Sequence, residues 1–288
     1  MQINESARRT YETVMARLRN FIANPWQTQM EPYQVMPHVY YVGNKYVGSY
    51  LLDTSEGIVL IDVALQETAY LLFDSIRKVG FDPQNIKKVL ISHGHVDHTG
   101  ALRKVQEYSN CEVWFPKGDA FFLKERRDLI LEEDHCPEFQ VTDYFDYNTI
   151  MDFGNIQIKP IHTPGHTPGC TSFLITVESE GKKTLLGMHG GLGLNGLSKA
   201  ELIQNGLPVT LQQEYLNSLK EIVKVPVEIV LPSHLSHFPG DYLGMVAQNA
   251  DGSGDALRVP GAWKNLIEDR IAQAEELIYQ DSLIEESI

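Results

Sequence analysis

The chain has 288 residues, 43% of them hydrophobic and 22% charged, a composition ordinary for a soluble globular protein with a sizeable core in one or two domains. Its 38 acids against 24 bases give a net charge of −14, which argues against a nucleic-acid partner, because binding a polyanion calls for a positive groove. No apolar run approaches the roughly 20 residues that cross a bilayer, Met1–Arg9 holds no apolar signal core, and Cys111, Cys136 and Cys170 form no disulfide framework, so the expectation is a cytoplasmic protein with reduced thiols and no membrane partner.

In chain order, residues 4–22 read as a helix, with Val14, Met15, Leu18, Phe21 and Ile22 as its apolar positions, until Pro25 and Pro32 break the pattern. Residues 1–30 are therefore expected to form a helical extension, and 31–288 a single domain. Strands are expected at about 38–42, 47–53 and 57–62. A helix at 67–79 leads into a strand at 88–92, a βαβ unit. A helix near 100–109 and a strand near 112–116 follow. The stretch 119–150 is rich in charge and aromatics, including Phe121, Phe122, Phe139, Tyr144, Phe145 and Tyr147. A helix and irregular loops are expected there, either walling a pocket or covering the core. Strands recur at 156–161, 171–177 and 184–188. A helix at 211–223 precedes a strand at 227–231, and a glycine-bearing loop leads to a last helix at about 261–279. Two sheets face to face with helices outside account for this order, an α/β fold.

Three histidine clusters each follow an apolar run. The first is Ser92-His93-Gly94-His95-Val96-Asp97-His98, directly after Val89-Leu90-Ile91. Imidazole and carboxylate are ligands of divalent transition metals. A helix would set His93 and His95 on different faces, whereas a loop at a strand end can turn all four side chains inward. The second is His162-Thr163-Pro164-Gly165-His166-Thr167-Pro168-Gly169, a loop stiffened by two prolines. The third is Pro232-Ser233-His234-Leu235-Ser236-His237, after Val227–Leu231. Ligands of open α/β sheets collect beyond the carboxyl ends of strands, so three such loops point to one shared site.

These blocks resemble the metallo-β-lactamase superfamily, whose signature is matched by His93-x-His95-x-Asp97-His98 and whose next ligand loop is matched by Pro164-Gly165-His166-Thr167-Pro168-Gly169. The likeness runs from about Tyr33 to about Gln280 and is nearest to the third metallo-β-lactamase subclass, which is rich in histidine and lacks a bridging carboxylate or cysteine. It implies the αββα four-layer sandwich with metals at one edge. It further implies that His93, His95 and His166 hold a first zinc ion and that Asp97, His98 and His234 hold a second. A metal-bound hydroxide would then attack an amide, lactam, ester or lactone carbonyl of a small-molecule substrate, with β-lactams among the expected substrates. Asp97 is expected to orient the hydroxide.

The chain departs from many relatives at Gly187-Met188-His189-Gly190, where a bridging aspartate is common. His189 is either a strand-end histidine that hydrogen-bonds a backbone carbonyl, or an extra ligand, proton donor or substrate contact among the catalytic residues. His162 competes with His166 as third ligand, and the family pattern favours His166. His237 is expected at the rim, and Cys170 in packing. Asp62, at the end of a core strand, either orients a ligand histidine or caps the strand. Two other readings remain at this point: a redox di-iron protein of the same fold, with iron in place of zinc, and a metal-binding protein without catalysis.

Overall fold

Several strand segments are apolar on both faces, as in Gly57-Ile58-Val59-Leu60-Ile61, and such strands must be covered from both sides. The computed structural model, which describes residues 5–238 and 240–285, shows how this is done. Asn4, the first residue of the expected N-terminal helix, lies outside the described residues, as do the chain positions before it and 286–288.

Seven strands pair in chain order into a first sheet: β1 (Tyr33–Met36), β2 (Val39–Tyr41), β3 (Tyr50–Thr54), β4 (Gly57–Ile61), β5 (Ile86–Leu90), β6 (Glu112–Phe115) and β7 (Asp143–Tyr144). The pairings are antiparallel up to β4 and parallel from β4 onward. A second sheet holds β8 (Met151–Asp152), β9 (Ile156–His162), β10 (Thr171–Ser179), β11 (Lys182–Met188) and β12 (Ile229–Val230), in the spatial order β12-β11-β10-β9-β8. The helices are α1 (Glu5–Ala23), α2 (Ala69–Lys78), the single turn α3 (Val96–Thr99), α4 (Leu102–Ser109), α5 (Lys199–Gln204), α6 (Leu211–Ile222), α7 (Tyr242–Gln248) and α8 (Ala262–Glu285).

Side-chain alternation along the strands sorts the layers. Tyr50 and Leu52 of β3 and Val59 and Ile61 of β4 share a buried cluster with Ile158, Phe173, Ile175 and Leu186 of the second sheet. Their neighbours Leu51, Ile58 and Leu60 point the other way, onto Leu72 and Ile76 of α2 and Leu102 and Val105 of α4. Helices α6 and α8 join the first of these clusters through Leu219, Trp263 and Ile267, and the Trp263 indole donates to the Ile222 carbonyl at 2.9 Å. The order helix, sheet, sheet, helix is the expected four-layer sandwich. Met15 and Leu18 of α1 enter a third cluster with Tyr46, Val47, Phe122 and Ile130. Among the described residues, no helix is long and apolar enough to cross a membrane.

The element boundaries shift for identifiable reasons. The strand expected at 47–53 begins only at Tyr50, because the Asn44 side chain accepts from the backbone N–H of Tyr46 and Val47 and holds a turn there. The strand expected at 227–231 shrinks to Ile229–Val230, which pairs with only two residues of β11. No α-helix forms within 119–150. That stretch follows Pro116 and contains Pro137, and it folds as 3-10 turns at Lys117–Leu123, Arg127–Ile130 and Glu133–His135 and the short strand β7. Strands β1 and β8 and helices α5 and α7 lie outside the expected elements. Helix α5 nonetheless carries a capping box, Ser198 with Glu201, that a search for S-x-x-E would have found.

Candidate metal centre

Strands β4 and β5 run parallel and end side by side, with Ile61 opposite Leu90. The residue after β4 is Asp62, in a left-handed conformation (φ 56°) that aspartate tolerates better than most side chains. Its fully buried carboxylate accepts from the Ser92 backbone N–H (2.8 Å), from the Ser92 hydroxyl (2.7 Å) and from His98 Nδ1 (2.7 Å). Asp62 thereby fixes both the start of the first histidine loop and the ring of its last histidine. Asp62 therefore does both things expected of it as alternatives: it bonds a histidine ring and it holds the loop that follows the strand.

The second loop is a tight connection between β9 and β10. The Thr163 N–H donates to Cys170 O (2.9 Å) and the Gly165 N–H to Thr167 O (2.9 Å). Gly165 has φ 143°, and a Cβ there would lie 2.4 Å from the Tyr215 side chain, so glycine is required twice over. The Thr171 N–H donates to Ser92 O (2.8 Å), which stitches the second sheet to the first loop. The third loop is held by Gly48 N–H to Ser233 O (2.8 Å) and by the Tyr50 hydroxyl to Pro232 O (2.9 Å).

These anchors bring six of the expected residues together. Ligand atoms of His93, His95 and His166 lie within 4.8 Å of one another, as do those of His93, Asp97 and His98. His95 Nδ1 is 3.1 Å from His166 Nε2. His234 Nε2 is 3.3 Å from His98 Nε2 and 3.6 Å from Asp97 Oδ2. Three rings have their outer nitrogen tied to an acceptor: His98 Nδ1 to Asp62, His166 Nδ1 to Gly193 O (3.0 Å) and His234 Nδ1 to Tyr46 O (2.7 Å). Carboxylate and carbonyl oxygens only accept, so Nδ1 carries the proton in each and Nε2 is left facing the centre. His93 Nε2 is buried there and has no hydrogen-bond partner among the described residues. A cluster of facing imidazole nitrogens with one orphaned and a carboxylate beside them is the donor set of a transition-metal site, and a divalent cation fits it.

The electrostatics agree. Burial, with the neighbouring imidazoles, holds His93 well below the usual imidazole range, and burial pushes His95 and His234 down to about 4, so these rings are neutral bases at neutral pH. Burial raises the Asp97 carboxyl, but the surrounding histidines, His98 first, outweigh it and keep Asp97 ionised.

Asp119 was missed by the sequence reading. This fully buried carboxylate accepts from Gly94 N–H (2.8 Å) and the Thr167 hydroxyl (2.7 Å) at one oxygen, and from Gly169 N–H (2.6 Å) at the other. It clips the His93–His95 loop to the His166 loop. Burial pushes its carboxyl up to about 6 against the pull of these three donors.

The remaining histidines stand apart. His162 is exposed, with Nε2 on Pro168 O (2.9 Å) and its ring stacked on Tyr147 at 5.0 Å. His162→Ala is therefore expected to retain the full metal content, measured by elemental analysis; loss of metal from this variant would reverse the choice between His162 and His166. His237 lines the cavity at 4.9 Å from the His234 ring. His189 is buried with its ring 6.4 Å from Tyr215, accepts from Gly191 N–H at Nδ1 (3.2 Å) and does not line the cavity. Cys170 is a buried free thiol, and burial pushes it up.

A four-layer sandwich with a histidine-rich centre at one edge defines a class, and comparison with known proteins agrees. Residues 42–180 match the metallo-beta-lactamase superfamily, and the chain carries a domain of that superfamily. It is 34% identical over 117 residues to the N-acyl homoserine lactonase AttM of Agrobacterium fabrum, a match covering 37% of this chain and 42% of that protein. The chain thus spans about two fifths of the length of that relative. Among solved structures, the FEZ-1 metallo-beta-lactamase of Legionella gormanii superposes with a TM-score of 0.79 at 23% identity, over 88% of this chain and 98% of that one. BJP-1, a subclass B3 metallo-beta-lactamase of Bradyrhizobium japonicum, superposes with a TM-score of 0.78 at 21% identity, over 90% and 97%. At these identities the likeness is one of fold.

Proposed function

We propose that this chain is a di-zinc hydrolase that opens a small cyclic ester or amide, a lactone or a lactam. The supporting observation is the convergence of six donor groups from three separately anchored loops, with the outer nitrogens of His98, His166 and His234 already tied down. His93, His95 and His166 would hold one ion, and Asp97, His98 and His234 the other. Lactones come first because the lactonase relative shares 34% of its sequence with this chain over 117 residues, whereas the lactamases, at 21% and 23% identity, share fold alone. When bound, the metal lowers the pKa of a water to about 7 and polarises the substrate carbonyl.

The chain's own groups do the rest. Asp97, ionised and facing the cavity, would accept a hydrogen bond from the attacking water and set its direction. Gly190, Gly191 and Gly193 line the cavity and let substrate approach the backbone closely. Of the two side chains expected to act in the chemistry, we assign that role to Asp97. His189 is buried, accepts from the Gly191 N–H and does not line the cavity, and we assign it to packing at the end of β11.

The test is metal content with hydrolysis of an acyl-homoserine lactone and a cephalosporin, each with a chelator control. About two zinc ions per chain and chelator-sensitive ring opening support the reading. Two zinc ions and no turnover of any cyclic ester or amide would refute it.

The pH dependence of metal binding follows from His98. Burial lowers its pKa, but Asp62 and Asp97 outweigh burial and raise it above the usual value. Below that raised pKa, metal must displace a proton from His98 Nε2. Zinc affinity is expected to fall about tenfold per pH unit on the acid side of this pKa and to level off above it. Calorimetry in buffers of different ionisation enthalpy checks this by counting the released proton.

A further inference from the structure

The outer wall of the cavity comes from α1, which contributes Val14, Arg17 and Leu18 beside Tyr46, His95 and His234. Arg17 stands out among them. Arg19, Arg103, Arg126, Arg127 and Arg258 each pair with a carboxylate. Arg17, like Arg77 and Arg270, has no carboxylate partner among the described residues, although the chain carries 38 acids against 24 bases, and of these three it is the one that lines the cavity. Its guanidinium instead lies over two rings, 5.4 Å from the centre of Tyr46 and 5.6 Å from that of Phe21. Stacking occupies the flat face of a guanidinium and leaves its edge N–H donors free, and that edge matches a carboxylate with two parallel hydrogen bonds.

Tyr46 in turn lies against the metal centre. Its ring is 5.1 Å from the His234 ring, and its backbone carbonyl holds His234 Nδ1. Arg17 therefore sits one aromatic ring away from a metal-facing histidine, on the wall of the same cavity. The cavity measures about 100 Å³, room for several heavy atoms at roughly 10–15 Å³ per water-sized position. A strongly acidic protein repels an anionic substrate overall, so a local cation at the entrance has a defined use in drawing one in.

We propose that Arg17 is a specificity-determining residue that binds a carboxylate of the substrate, placed a few bonds from the carbonyl under attack. The substrate class is then a compact anionic lactone, lactam or related acyl compound, and the ring-opened product carries a second carboxylate. The proposal rests on the hydrolase reading above and adds to it which member of the class is preferred.

The test uses zinc-loaded protein and two thiols that seat sulfur on zinc, 3-mercaptopropionate and its methyl ester, with zinc content measured on the same samples. Calorimetry is expected to show the wild type binding the acid about tenfold more tightly than the ester. In Arg17→Gln the preference is lost through weaker binding of the acid, the ester binding as before, and Arg17→Lys keeps most of it. Equal binding of acid and ester by zinc-loaded wild type overturns the proposal and leaves the hydrolase reading standing. Equal weakening of both probes by Arg17→Gln also overturns it, since Arg17 then only supports Tyr46. A wild type that takes up no zinc overturns both.

Discussion

His95→Ala and His234→Ala are each expected to lower hydrolysis about a thousandfold, because the lost ligand removes metal stabilisation of several kcal/mol from the transition state. The two variants should differ in metal content. His95 Nδ1 faces His166 Nε2 at 3.1 Å, and its loss opens the trio that includes His93. His234 faces His98 and Asp97 instead, so its loss should empty that side and leave the trio loaded. Zinc stoichiometry near one in His234→Ala, with turnover gone, is the expected pair of measurements. Full activity in either variant would remove that residue from the centre. Both rings lie against the cavity, so little loss of stability is expected and unfolding curves should stay close to the wild type.

Asp62→Asn has the second large effect, and it works through other residues. The carboxylate accepts three hydrogen bonds and donates none. An asparagine of the same shape must turn an NH2 group toward one of those donors. Either His98 Nδ1 loses its acceptor, or Ser92 does. Loss of such a partner to a metal-facing histidine costs about 10–100-fold in metal affinity. An unsatisfied buried donor costs a further ~1–3 kcal/mol of stability. Zinc titration and chemical denaturation of the same variant check both. Unchanged affinity with reduced stability would mean that Asp62 holds the loop and does not orient His98. The variant should also lower the His98 pKa, and so shift the onset of proton release to more acidic pH.

The donor residues were legible because their pattern is local. His93, His95, Asp97 and His98 sit within six residues, and the other two lie in short clusters after apolar runs, so chain order and strand ends sufficed to group them. Asp119 was not legible. Its three partners lie 25, 48 and 50 residues away, and it opens a stretch with no helical or strand period. A carboxylate whose whole role is to join two distant loops leaves no trace in either of them. The layers were readable from the order of strands and helices and from the family resemblance, whereas the doubly apolar run Ile58-Val59-Leu60-Ile61 says only that β4 is covered on both faces. The ends of β3 and β12 were not, because an Asn44 side-chain turn and a two-residue pairing with β11 decide them. Helix α1 was readable from its apolar spacing, but its neighbours Tyr46, Phe122 and Ile130 are set by the fold. The sequence left His189 open between two roles, because the direction of a side chain just past β11 is set by the packing around it.

The division of labour at the cavity has a consequence for how such a protein changes over time. Every donor group hangs from a loop that is tied to a sheet end, to Asp62 or to Asp119, and the loss of one of those ties costs both stability and chemistry. The opposite wall is one surface helix, from which Val14 and Arg17 line the cavity, Arg17 over the ring of Tyr46. If Arg17 binds the substrate carboxylate, substitutions there change which molecules are admitted more than they change the reactive groups. Selection can therefore tune appetite and reactivity on separate parts of one chain, and a lineage can move between substrates through mutations of small individual effect.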